Sequence, residues 1–281
     1  MWFPLLTLLF TEKLFKHSEV IMIWNILFAL CVALEFVFVP LFLKYSWPNK
    51  CWKSFGFKMV CSALFFSAGL LAMKISGNFP SFSVYTKYIL WGLFLGWLGD
   101  MFLHLITDKI WVFGLGLFAF LGGHIFYIIA FQKVIQKTYP DQSFFEWYEI
   151  LAVALLVGVI LIYAFIKKKQ GKLASGKIYM IIPVVMYAVT ISAMLAKAFR
   201  LCIGEWLWGM TDDKAMVMIF ITVALGAVLF VLSDGSLGII LFAGQKKNRP
   251  LKIFNIATYF AAQILLASSI FFISVPVLYG T

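Results

Sequence analysis

The sequence predicts an all-α integral membrane protein, built as a single bundle of about eight transmembrane helices. Three observations predict it: of the 281 residues, 63% are hydrophobic, only 12% are charged, and 31 are phenylalanine. Soluble domains carry about 25% charged residues and about 45–50% apolar ones. A chain this apolar cannot cover itself with polar surface, so the soluble globular, disordered and fibrous classes are excluded.

Eight stretches of the chain meet the requirement of about 20 mostly apolar residues for a transmembrane helix. In chain order they lie at residues 22–43, 55–75, 87–107, 111–132, 145–166, 177–198, 216–242 and 251–274. The apolar runs are continuous and do not alternate every second residue, which favours helices over a membrane β-barrel. No connection between them is long enough to form a domain of its own, so we expect one transmembrane domain over residues 22–281.

Residues 1–21 precede the first of these segments. A signal peptide requires basic residues before its apolar part and a cleavage site of small residues after it. The apolar start of residues 1–21 has neither. We therefore expect residues 1–21 to form an N-terminal lead-in at the membrane interface.

The basic residues lie mainly in the connections between the apolar segments. Connections 1–2, 3–4, 5–6 and 7–8 include the runs 167–169 and 246–247 and are richer in Lys and Arg than the opposite side. The positive-inside rule then predicts cytoplasmic placement of these connections, with both termini outside or in a lumen. The net charge of +11 therefore fits loops that face an anionic leaflet and does not indicate a nucleic-acid partner.

Six ionisable residues are the candidates for bilayer depth, where a charge costs about 2.5–3.5 kcal/mol on insertion scales. They are Glu35, Lys58, Asp100, His104, His124 and Asp234. Their positions along alternately directed helices place most of them at one depth. Such an arrangement predicts a hydrated cavity that opens to one side of the membrane.

Asp100 and Asp234 are the candidate catalytic residues. Each is flanked by small residues, including Gly99 and Ser233, which allow close helix approach or leave room for a ligand. Two carboxyl groups in one pocket beside Lys58 would hold one proton between them. One group could then act as a general acid and the other as a general base.

Other interpretations of these residues stay open. Lys58 could extend to the headgroups, and His104, one turn after Asp100, could hydrogen-bond that aspartate. His104, His124 and an aspartate could hold zinc, which would indicate a zinc-dependent intramembrane lipid hydrolase. Polar groups at one depth also occur in proton-coupled transporters of small or lipid-like solutes.

Several segments resemble a known family. Leu98-Gly99-Asp100, followed by His124-Ile125-Phe126-Tyr127, is similar to the third and fourth helices of the YhhN-like lysoplasmalogenases, which are multi-pass membrane hydrolases. The stretch 226–234, which ends in Leu232-Ser233-Asp234, resembles the second signature of that family. The stretch 258–263, with Tyr259 and Gln263, resembles its last helix. The resemblance covers most of residues 55–272.

The resemblance implies hydrolysis of the vinyl ether bond of lysoplasmalogens to a fatty aldehyde and glycerophosphoethanolamine or glycerophosphocholine. It implies catalytic roles for Asp100 and Asp234, without indicating which is the acid, and requires no metal or organic cofactor. The residues expected to bind the lysophospholipid substrate in the bilayer are Lys58, His124, Tyr127, Tyr187, Tyr259 and Gln263. The expected location is the endoplasmic reticulum or another endomembrane in a eukaryote, or the inner membrane in a bacterium.

Overall fold

A computed structural model describes residues 3–76, 83–107, 109–169, 181–207, 217–242, 245 and 247–273. Over these residues the chain forms eight helices and no strands, which confirms the all-α bundle. The helices are α1 Phe3–Tyr45, α2 Trp52–Ile75, α3 Val84–His104, α4 Ile110–Thr138, α5 Trp147–Lys169, α6 Ile181–Leu207, α7 Gly226–Phe242 and α8 Arg249–Ile273. A π-helical turn, Phe220–Leu225, leads directly into α7.

Each helix corresponds to one predicted apolar segment. The first helix starts well before residue 22, although its apolar membrane-length portion is Met22–Tyr45. The placement of residues 1–21 at the membrane interface stays a prediction.

Six of the described helical segments are long and apolar enough to cross a membrane, as expected for a multi-pass membrane protein. They are Met22–Tyr45, Trp52–Ile75, Ile110–Lys137, Pro183–Gly204, Val217–Leu241 and Arg249–Ile273. Helix α3 is not among them, and the apolar part of α5, Trp147–Tyr163, is shorter. Helix α3 packs against α2, α4 and α8, so neighbouring helices cover much of its surface and it needs fewer apolar side chains.

The bundle is organised around α3 and α8. Helix α8 packs against α1, α2, α3 and α7, while α6 joins α4, α5 and α7. Among the described helices, α5 approaches only α6 closely. The centre of the bundle is therefore the region where α2, α3, α4, α7 and α8 meet, and α5 lies at its periphery.

Two lysines link helix ends on one side of the bundle. Lys50 Nζ donates to the carbonyl of Leu103 at 2.6 Å, and Lys252 Nζ donates to the carbonyl of Ser46 at 2.5 Å. The connection between α1 and α2, the end of α3 and the start of α8 therefore share one side, as alternating transmembrane helices require. We call this the Lys50 side.

Candidate functional site

Asp100, on α3 close to the Lys50 side, is 1% exposed and is surrounded by donors. Lys58 Nζ on α2 lies 2.8 Å from its Oδ1. Its Oδ2 accepts hydrogen bonds from Ser62 Oγ at 2.6 Å and from Tyr259 OH at 2.8 Å. A buried carboxylate is stable only when its charge is paired and its lone pairs are satisfied, and these three donors meet both requirements.

The hydrogen bonds continue from Asp100 across α8 to α4. Tyr259 OH accepts from Gln263 Nε2 at 3.1 Å, and Gln263 Oε1 accepts from Tyr127 OH at 2.9 Å. These side chains are all buried, so the chain of hydrogen bonds is shielded from lipid. The Asp100 cluster consists of Lys58, Ser62, Asp100, Tyr127, Tyr259 and Gln263.

Asp234 on α7 belongs to a second group of polar side chains. Its Oδ2 accepts a hydrogen bond from Tyr187 OH on α6. His124 Nε2 on α4 lies 2.9 Å from Tyr187 OH and 3.5 Å from Asp234 Oδ2, and His124 Nδ1 lies 3.2 Å from Met194 Sδ. The Asp234 cluster consists of these four residues, His124, Tyr187, Met194 and Asp234.

The ring of Phe230 lies between the two clusters. Its centroid is 4.7 Å from that of His124 and 5.5 Å from that of Tyr259, and both contacts are edge-on. Phe230 is one α-helical turn before Asp234 on α7, so the helix that supplies the second aspartate also supplies the barrier.

A narrow crevice lies beside Phe230. It is lined by Gly92, Gly96, Phe120, Gly123, His124, Tyr127, Phe230 and Gln263. Both clusters contribute to its wall, but neither aspartate lines it, and it is too narrow to hold a water molecule. The sequence predicts one hydrated cavity that contains both aspartates. The structure instead has two hydrogen-bonded clusters that meet at one narrow crevice.

Two glycines of α3 make this close approach possible. A methyl group at Gly96 would lie 2.5 Å from Gln263 Nε2, and one at Gly92 would overlap the ring of Tyr127. The small residues near Asp100 therefore admit the polar side chains of α4 and α8 at this position.

All eight residues predicted for the site lie in one of the two clusters. The structure places Lys58 on Asp100, whereas the sequence left open its extension to the headgroups. His104 does not take the expected place beside Asp100, because its Nε2 lies 3.0 Å from Ser54 Oγ on α2. Glu35 is buried on α1 near Cys61, outside both clusters.

Sequence reasoning missed Ser62, Met194 and Phe230. Helical spacing gives a signal for two of them: Ser62 is four residues after Lys58, and Met194 is seven residues after Tyr187. Residues at these spacings share a helix face. Phe230 is also four residues from a site residue, Asp234, but this spacing alone does not indicate that its ring lies between two polar clusters.

A metal site would need several ligands around one point. Within the described parts of the chain, no group of three or more His, Cys, Asp or Glu side chains could hold a metal ion. The ligand set considered for zinc is divided, since His104 contacts Ser54 while His124 lies near Asp234.

The two clusters connect the first and second halves of the bundle crosswise. Asp100 of α3 binds Tyr259 of α8, while Asp234 of α7 lies beside His124 of α4. Tyr127 of α4 and Gln263 of α8 bind each other. Each aspartate therefore has partners in both halves of the chain, since Asp100 also contacts Lys58 of α2 and Asp234 also contacts Tyr187 of α6.

Comparison with known proteins yields one match. The sequence profile of the YhhN family matches residues 53–270, a range that contains every member of both clusters. No curated protein and no solved structure matches the chain significantly.

Proposed function

The chain belongs to the YhhN family, the family of lysoplasmalogenases, and on that basis we propose that it hydrolyses the vinyl ether bond of lysoplasmalogens. The observation that carries the proposal is the pair of aspartates, Asp100 and Asp234, held in two different polar clusters that meet at one crevice. Acid-catalysed hydrolysis needs one group that gives a proton and another that stabilises a cation and accepts a proton.

We assign these roles from the partners of each aspartate. In this proposal Asp100, which is paired with the ammonium group of Lys58, is the carboxylate that stabilises the cation and accepts a proton from water. We assign Asp234 as the acid. Its Oδ2 accepts a hydrogen bond from the hydroxyl of Tyr187, and its Oδ1 carries the proton in this assignment. His124 and Tyr187 orient the Asp234 carboxyl group.

The reaction then proceeds in three balanced steps. Asp234 transfers its proton to the outer alkene carbon, and the carbon bonded to the ether oxygen becomes an oxocarbenium ion. Water adds to that carbon and loses a proton to Asp100, which produces a hemiacetal. Asp100 then gives its proton to the ether oxygen while Asp234 takes the hemiacetal hydroxyl proton, which breaks the carbon–oxygen bond, releases the fatty aldehyde and the glycerophospho compound, and restores both carboxyl groups.

Substrate must widen the crevice for these steps to occur. Phe120 and Phe230 both line the crevice and both contact the ring of Tyr259, and in this proposal the rings move aside so that the substrate reaches both aspartates. Tyr127, Tyr259 and Gln263 would then face the glycerol oxygens and the attacking water. The alkenyl chain would lie among the phenylalanine and leucine side chains of the core.

Hydrolysis in D₂O tests this proposal. The purified protein is given a lysoplasmalogen or its saturated 1-alkyl analogue, and the aldehyde is reduced at once to the alcohol to prevent exchange. We expect one deuterium on the carbon next to the former carbonyl and no cleavage of the alkyl ether. Aldehyde without that deuterium, or cleavage of the alkyl analogue, would contradict protonation of a vinyl ether.

A further inference from the structure

A second and larger cavity lies away from both clusters. It is a cleft between α4 and α5, and α6 forms its remaining wall. It has a volume of about 560 Å³, within the range of about 300–1,000 Å³ typical of ligand pockets. Its walls are formed by Ile135, Tyr139, Gln142, Tyr148, Glu149, Ala152, Leu156, Leu195, Ala196, Phe199, Arg200, Ile203 and Gly204. Since α5 packs closely only on α6 among the described helices, the cleft opens between α4 and α5 towards lipid.

The polar end of the cleft contains a buried arginine with an unused donor. Arg200 is 7% exposed; its Nη1 donates to Glu149 Oε2 and its Nη2 to Gln142 Oε1, both at 2.6 Å. Its Nε has no acceptor among the described residues. A buried donor without an acceptor is unfavourable, so Arg200 Nε favours an acceptor oxygen supplied by a ligand.

The charges around Arg200 are already balanced. Lys197 and Arg200 are positive, and they are paired with the negative Glu149 and Glu146. An anionic ligand would therefore add an uncompensated charge at a buried position. A neutral acceptor, such as a carbonyl oxygen, suits the single free N–H.

The other end of the cleft is apolar. Leu156 on α5 lies two turns beyond Glu149, and Leu195 and Phe199 on α6 face the same cavity. The polar end lies at the connection between α4 and α5, on the side of the bundle opposite the Lys50 side. The polar end of the cleft thus faces one membrane surface and its apolar end faces the membrane interior, as the headgroup and chain of a lipid do. This lipid would belong to the leaflet opposite the one nearest Asp100.

We propose that this cleft binds one zwitterionic glycerophospholipid. One acyl chain lies between Leu156 and Leu195, and the ester carbonyl oxygen accepts a hydrogen bond from Arg200 Nε. The headgroup stays at the membrane surface near Tyr148. This site is separate from the hydrolytic site and does not depend on the function proposed above.

Native mass spectrometry with defined lipids tests the site. The detergent-purified full chain is titrated with diester phosphatidylcholine, its diether analogue, or phosphatidylglycerol. The test variant is Leu156→Trp, which fills the cleft; the control is Leu155→Trp, one residue away on the exposed face of α5. Ala152→Leu, which fills part of the same cleft, replaces Leu156→Trp if that variant does not fold.

We expect one tightly held phosphatidylcholine in the wild type and in Leu155→Trp, and its loss from Leu156→Trp. The diether lipid, which lacks the carbonyl acceptor, should bind roughly tenfold more weakly, as expected for loss of one hydrogen bond to a charged donor. Equal retention by the two tryptophan variants, equal binding of the diether lipid, or preference for phosphatidylglycerol would overturn the proposal. Lipid binding is measured without turnover, so this result and the test of hydrolysis can fail independently.

Discussion

The ammonium group of Lys58 lies 2.8 Å from Oδ1 of Asp100, and this ion pair joins α2 to α3 at membrane depth. The side chain of Asp100 is 1% exposed and that of Lys58 is 14% exposed, so water screens the pair only weakly. Each residue is consequently needed to compensate the charge of the other.

Replacement of Lys58 by Met should destabilise the protein by about 3–5 kcal/mol, because it leaves the Asp100 carboxylate buried without a counter-ion. The double variant Lys58→Met/Asp100→Asn should recover much of that stability and should remain inactive. Thermal unfolding in detergent, measured beside aldehyde release, checks both expectations. A double variant that is no more stable than Lys58→Met would show that Lys58 does not stabilise the protein through its ion pair with Asp100.

Tyr187→Phe should slow aldehyde release by roughly 10- to 150-fold, because the negative charge that develops on Asp234 in the transition state would lose a hydrogen bond worth about 1.5–3 kcal/mol. The hydroxyl of Tyr187 contacts both Asp234 and His124, so its removal loosens the carboxyl group that we assign as the acid. Tyr88→Phe, on α3 outside both clusters, is the matched control. Steady-state rates that fall equally in the two variants would remove Tyr187 from the mechanism.

Gly96→Ala should lower both stability and activity. The added methyl group would lie 2.5 Å from Gln263 Nε2 and would force the amide away from Tyr259. Overpacking of this kind costs about 1–3 kcal/mol. Gly158→Ala is the control because no atom lies within 4 Å of the added methyl group. Unfolding midpoints that are the same for the two variants would contradict the tight packing of α3 against α8.

Chelators should leave the activity unchanged. The described residues contain no group of His, Cys, Asp and Glu able to hold a metal ion, and the proposed chemistry uses carboxyl groups alone. Aldehyde release is measured before and after treatment with 1,10-phenanthroline. Activity that is lost and then restored by added zinc would favour the zinc hydrolase.

The number and order of the helices follow directly from the apolar runs, because lipid requires every spanning segment to satisfy its own backbone hydrogen bonds. Helix α3 shows the limit of this signal. It carries Asp100, His104 and several glycines, and it is covered by α2, α4 and α8. Hydropathy reports contact with lipid, so a helix enclosed by protein has a weaker signal.

Most of the polar residues that form the two clusters could be named from the sequence, and their roles stay predictions, but their hydrogen-bond partners could not be named. Asp100 and His104 share a helix face, yet His104 binds Ser54, because the crossing of α2 over α3 decides which group each side chain meets. Phe230, which packs against both His124 and Tyr259, is likewise one of 31 phenylalanines in the chain. Such choices depend on tertiary packing, which leaves no periodic signal in the sequence.

The most direct test of the account measures aldehyde release by Asp100→Asn and Asp234→Asn in the same detergent. Glu35→Gln is the matched control, since it also converts a buried membrane carboxyl group to an amide but neither of its carboxyl oxygens hydrogen-bonds to a residue of either cluster. All three variants are first compared with the wild type in size-exclusion profile and unfolding midpoint. We expect each aspartate variant to lose about 10²–10⁴-fold in rate, the usual contribution of a general acid or base, and Glu35→Gln to stay near the wild-type rate. Turnover at the wild-type rate in either folded aspartate variant would contradict catalysis by two carboxyl groups.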